Sequence, residues 1–143
     1  MPARVSFYVL SGSGPAARLG FACRLAEKAW KLDHRIHAHT ADPDMARQLD
    51  TLLWTFRQGS FVPHELLVAG RQPVAPITIG SGDDDAPDAD LLINLDEAVP
   101  GFHARYGRIA EIVDASPDGR EAGRARHRWY RAQGLEPETH ETA

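Results

Sequence analysis

Three groups of residues in this chain have types and spacings that could do chemistry. Gly12-Ser13-Gly14-Pro15-Ala16-Ala17 satisfies the pattern G-x-G-x-x-A, in which glycines let the backbone approach a pyrophosphate and the next helix N-terminus holds the anion. His34, His37 and His39 could offer imidazole nitrogens to a borderline metal, the last two from one face of a strand. Arg120, Arg124, His127 and Arg131 stand at i, i+4, i+7 and i+11. On a helix they form one row, able to grip carboxylates or phosphates through guanidinium forks.

Each group also has a plainer reading. A nucleotide-binding enzyme using Gly12 and Gly14 is the sharpest catalytic hypothesis, but the acidic ribose partner is out of place: Asp42 comes some 30 positions after Gly12, against about 20. A tight strand-to-helix turn explains the same glycines. For the histidines, Cys23 is remote and no fourth ligand stands at a diagnostic spacing, so no metal is assigned. No nucleophile elbow, cysteine–histidine couple or paired carboxylates can be recognised, so no catalytic residue and no cofactor are expected. The arginine row could be a solvated charged face. It could also bind single-stranded DNA directly, with Trp129 and Tyr130 as stacking platforms.

The elements that would position these residues alternate. Val5 to Leu10 reads as a buried strand, closed by Ser11-Gly12-Ser13-Gly14. Pro15 opens a helix whose apolar residues Leu19, Ala22, Cys23, Ala26, Ala29 and Trp30 recur at three- and four-residue spacing. Arg35 to Thr40 is the next strand, and Asp42-Pro43 caps a second helix striped by Met45, Leu49, Leu52 and Leu53. Ile77 to Ile79 and Asp90 to Leu95 are further strands, separated by the solvated acidic run from Gly80 to Pro87. Phe102 to Tyr106 is a helical turn and Arg108 to Asp114 the last strand. Ser116-Pro117 then caps a helix running to about Gln133, with Gly134 at its end. This order predicts a single Rossmann-like α/β domain over residues 1–135, a mostly parallel sheet flanked by helices without a bound nucleotide, and a flexible tail over 136–143.

Composition bounds the partners. The 143 residues carry a net charge of −4, which argues against a general nucleic-acid coat, yet five arginines fall between Arg120 and Arg131. The N-terminal apolar run is too short for a secretory leader and no stretch reaches membrane-spanning length, so a cytoplasmic protein is expected. From Leu52 to His64 the chain leaves a helix and enters a turn-rich segment while keeping Trp54, Phe56, Phe61 and Val62 around Gly59 and before Pro63. Such rings either plug a core from outside or await another protein.

Two of these segments carry a resemblance. Leu53-Trp54 followed by Ser60-Phe61-Val62-Pro63-His64, and the helix Arg124-Ala125-Arg126-His127-Arg128-Trp129-Tyr130-Arg131-Ala132-Gln133-Gly134, resemble the chi subunit of the bacterial DNA polymerase III holoenzyme. The resemblance implies a Rossmann-like fold without nucleotide and a noncatalytic clamp-loader accessory. It implies an acidic-tail site for single-stranded DNA-binding protein at Arg120, Arg124 and His127, where His127 replaces the family's aromatic residue. It also implies a partner interface at Trp54, Phe61, Val62 and Pro63, which in the family packs against the small psi subunit, and contact with DNA only through these partners.

Overall fold

The computed structural model describes residues 3–59, 61–82 and 86–142. Ser60 of the aromatic segment and Asp83 to Asp85 of the acidic run lie outside the described residues. Strand β1 (Arg4–Leu10) leads into helix α1 (Pro15–Lys31), then β2 (Ile36–His39) and α2 (Pro43–Thr55). There follow β3 (His64–Leu66), β4 (Ile77–Gly80), β5 (Leu91–Asn94), a 3₁₀ turn (His103–Arg105), β6 (Arg108–Val113), α3 (Pro117–Ala132) and β7 (Glu138–Thr142).

Local chemistry sets the boundaries. Each helix opens with proline at its first position, where the missing N–H costs nothing. The Asp42 side chain accepts from the Asp44 N–H at 2.9 Å, and Ser116 Oγ accepts from the Gly119 N–H at 3.0 Å, so the α2 and α3 N-termini are capped. Gly14 and Gly134 adopt φ of 87°, a left-handed conformation open to glycine at little cost.

The strands form one seven-stranded, all-parallel sheet in the order β3-β4-β2-β5-β6-β1-β7. Helices α1 and α2 bury Leu19, Ala22, Cys23, Ala26, Leu49 and Leu53 against one face, with Ile36, Ile77, Ile79, Ile93 and Ile112. Helix α3 buries Tyr130 against the other, with Val5, Phe7, Ile109 and Val113.

Two strands differ from the sequence reading. His64–Leu66, where the sequence reading gives no strand, pairs with β4; three residues are too few to show an alternating pattern. Residues 136–143, expected as a flexible tail, carry β7, which extends β1 in parallel from Ser6↔Glu138 to Leu10↔Thr142. The polar sequence Glu-Thr-His-Glu-Thr suits an edge strand that is mostly solvated. Arg108–Val113 is therefore not the last strand of the chain.

Candidate functional site

Helix α3 divides its basic residues between two jobs. Arg126 points inward and is buried, with its Nε donating to Glu111 Oε1 at 2.7 Å and one terminal nitrogen to the Glu97 carbonyl at 3.1 Å. Tyr130, also buried, donates its hydroxyl to Glu111 Oε2 at 2.7 Å, and Asn94 donates to the same carboxylate at 2.9 Å. Burial pushes the Glu111 carboxyl above its ordinary range, opposed by Arg126 and these hydrogen bonds. The network fixes how α3 lies on the sheet. It also removes Tyr130 as a stacking platform, since the ring is 0 % exposed; the direct DNA-binding alternative is left with Trp129, packed edge-on against His103 at 4.9 Å.

Arg120, Arg124 and His127 project from another side of α3 and line one cavity of about 200 Å³. Its remaining walls are Phe7 and Val9 of β1, Val113 of β6, Gly123 of α3 and Thr139 of β7. The His127 ring leans on Phe7, with centroids 5.2 Å apart. Gly123 lets α3 come this close, because a Cβ there would meet Val113 Cγ2 at 2.7 Å. The result is an apolar socket with two guanidinium groups at its rim. A cavity of about 150 Å³ suffices for a benzene ring, so a phenyl group fits, and a carboxylate attached to it would meet the arginines. The sequence reading assigned the rim but missed the socket. Phe7, Val9 and Val113 looked like ordinary strand core, and Thr139 belonged to the expected tail. A glycine in mid-helix was the one legible clue, since it destabilises an exposed helix interior relative to alanine.

At the other end of the sheet, Trp54 is 52 % and Phe61 64 % exposed. Their rings lie 5.7 Å apart, and Trp54 also packs on His64 at 4.6 Å. His64 is buried, its ring nitrogens facing the carbonyls of Val62 at 2.6 Å and Asp50 at 3.0 Å, which pins the loop that presents Phe61. Val62 was assigned to this surface, but it is fully buried in the core with Leu49 and Leu53; Pro63 is half-buried. In an extended segment alternate side chains point to opposite sides, so Phe61 faces out and Val62 in.

The two remaining motifs are built into the framework. The Gly12–Ala17 turn lies in the crevice between β1 and β6, where the chain leaves toward opposite faces and such folds take their ligands. There the Gly14 N–H donates to Asp114 Oδ2 at 2.5 Å. Burial opposes the charge, yet hydrogen bonds from Gly14 and Ser116 hold the Asp114 carboxyl below its ordinary range. The protein's own carboxylate thus stands where a phosphate would meet the α1 N-terminus. His37 and His39 are buried, not surface residues: His37 Nδ1 shares a hydrogen bond with Thr78 Oγ1 at 2.8 Å, and His39 Nε2 lies 3.4 Å from Asp96. Among the described residues no group of three His, Cys, Asp or Glu side chains could hold a metal, and no helix is long and apolar enough to cross a membrane.

The family model described as DNA polymerase III chi subunit, HolC, matches residues 1–138. The chain belongs to the DNA polymerase III chi subunit family. Among its relatives, the DNA polymerase III subunit chi of Pseudomonas aeruginosa is 43% identical over 137 residues, 96% of this chain and 95% of that one. Those of Haemophilus influenzae and Escherichia coli are 28% and 27% identical, each over 135 residues. The Haemophilus alignment covers 94% of both chains; the Escherichia alignment covers 91% of this chain and 92% of that one. As a chi-family member the chain is an accessory subunit of the replicative polymerase. Solved structures add the fold alone. A chain from a Saccharomyces cerevisiae structure of Dbp5 bound to Nup159, Gle1, IP6 and ADP superposes with a TM-score of 0.65 at 13% identity over 96% of this chain and 42% of its own. Domain 2 of the DEAD-box helicase Mss116p, bound to an RNA duplex, gives 0.57 at 12% identity, again over 96% of this chain and 65% of its own. This chain thus spans less than two thirds of either structure.

Proposed function

We propose that this chi-family protein is a noncatalytic adaptor that joins the clamp loader to the acidic C-terminal tail of single-stranded DNA-binding protein. The observation that carries the proposal is the apolar socket rimmed by Arg120 and Arg124, which suits a peptide that is acidic and ends in phenylalanine. The tail's terminal carboxylate and one acidic side chain pair with the guanidinium groups while the phenyl ring enters between Phe7, Val113 and His127. Two charge-assisted contacts at roughly 1.5 to 3 kcal/mol each and a buried ring at about 1.5 to 3 give about 4.5 to 9 kcal/mol gross. Ordering a flexible tail offsets some 2 to 5 of that. One tail then binds at about 10 μM at best, and an oligomeric partner gains by offering several.

The exposed Trp54–Phe61 pair, with Pro63 at its margin, is the second contact and receives the psi subunit or its equivalent. This surface adjoins β3 and the socket adjoins β7, the two edges of the sheet. Six interstrand spacings of about 4.8 Å separate those edges by about 29 Å, enough for two partners to sit without touching. Asp114 at the α1 N-terminus supports the reading that the fold works without a nucleotide. Titration with an acidic peptide ending in phenylalanine, against the same peptide lacking that residue, tests the proposal.

A further inference from the structure

We propose that the molecule also carries a phosphate-binding cleft on the sheet face opposite the socket, at the N-terminal ends of β1 and β6. A cavity of about 120 Å³ opens there beneath α1, lined by Arg4, Ser6, Lys28 and Arg108 among others. Strand register sets Arg4 directly beside Arg108. Like charges so paired on neighbouring strands repel, and Lys28 brings a third cation from α1. Among the described residues neither Lys28 nor Arg108 pairs with a carboxylate. Arg4 meets Glu138 at 3.3 Å, with both side chains solvated. The one carboxylate in the lining, Asp90, accepts from the Arg35 N–H at 2.7 Å and lies 3.9 Å from His34 Nδ1.

The second observation is Ser6. It is only 8 % exposed, it lines this cavity, and among the described residues its hydroxyl has no hydrogen-bond partner. It borders a cleft that solvent reaches, where it can donate to a ligand oxygen. Three unneutralised or weakly neutralised cations around an unused hydroxyl donor are the complement of a phosphoryl group, whose oxygens are charged acceptors on several sides. The cleft opens to solvent, so the phosphoryl group can be that of a small phosphate compound or of a nucleic-acid backbone.

Amide-resolved NMR of the intact chain tests this at low salt, with inorganic phosphate and an oligothymidylate as separate probes. Saturable shifts at Ser6, Lys28 and Arg108 with phosphate support the cleft. Arg108→Gln, an exposed substitution, should weaken that binding about five- to tenfold, and Ser6→Ala should weaken it with the fold intact. If the oligonucleotide moves the same signals more tightly and with a steeper salt dependence, the source is a nucleic-acid backbone; if only phosphate does, it is a small phosphate compound. Signals unmoved by either probe up to about 50 mM phosphate, or shifts concentrated at Arg120 and Arg124, overturn the proposal.

Discussion

Replacing Arg126 with methionine should damage the fold without touching the socket directly, and the size of the effect follows from the burial of its partner. Glu111 is 0 % exposed and loses the guanidinium that neutralises it, keeping only the donors of Asn94 and Tyr130. Stranding one member of a buried pair costs about 3 to 5 kcal/mol. For 143 residues the unfolding entropy near Tm is about 0.3 kcal/mol/K, so each kcal/mol lowers Tm by about 3 °C and the variant should lose about 10 to 16 °C. Without Arg126 only the Asn94 and Tyr130 hydrogen bonds oppose the burial that already raises the Glu111 carboxyl, so the folded variant holds a proton there to higher pH than the unfolded chain does. Relative to the parent, its stability should therefore fall as pH rises from 5.5 to 8. Thermal unfolding followed by circular dichroism at both pH values reads this out. Arg126→Met/Glu111→Gln should regain most of the loss, and Arg124→Ala should leave Tm within about 2 °C. An Arg126→Met variant within about 3 °C of the parent at both pH values would refute the reasoning.

Phe61→Ala should change the unfolding free energy by less than about 0.5 kcal/mol, whereas Val62→Ala should cost about 2 kcal/mol, because neighbours in sequence face solvent and core respectively; denaturant titration of the pair checks the assignment. Burial and the neighbouring His39 hold the His37 imidazole down at about 3 from an ordinary 6.5, so the unfolded chain takes up a proton that the folded chain refuses. Stability should fall by about 2 kcal/mol between pH 7 and pH 5 on this account, and His37→Gln should flatten the acid limb by that amount. A chain ending at residue 135 loses Thr139 and the rest of β7 from the socket wall; it should stay folded but bind the acidic peptide at least about tenfold more weakly by calorimetry.

Much of the architecture could be read from the chain because long helices and buried strands announce themselves. The stripe from Leu19 to Ala29 and the continuous Leu91-Leu92-Ile93 run leave few alternatives, and the prolines at positions 15, 43 and 117 mark helix starts. The two missed strands are edge strands, one of three residues and one almost wholly polar, whose pairing depends on neighbours distant in sequence. The site divides the same way. Helical spacing placed Arg120, Arg124 and His127 on one row, and the structure brings all three to one cavity. That spacing left Arg126 off the row but could not tell that it is buried, because its carboxylate partner lies on a different strand. The socket itself is tertiary: its walls come from β1, β6, α3 and β7, and no local pattern links Phe7 to Thr139.

The central claim is capture of an acidic tail through its terminal aromatic residue, and isothermal calorimetry with an aspartate-rich peptide ending in phenylalanine tests it most directly. Binding in the range of about 10 to 100 μM is expected, weakening with salt and falling at least about tenfold in Arg124→Ala or when the terminal phenylalanine is removed. Equal affinity for the peptide without its phenylalanine would mean that the arginines act as a diffuse charged face, and no heat with either peptide at millimolar concentration would contradict the account outright.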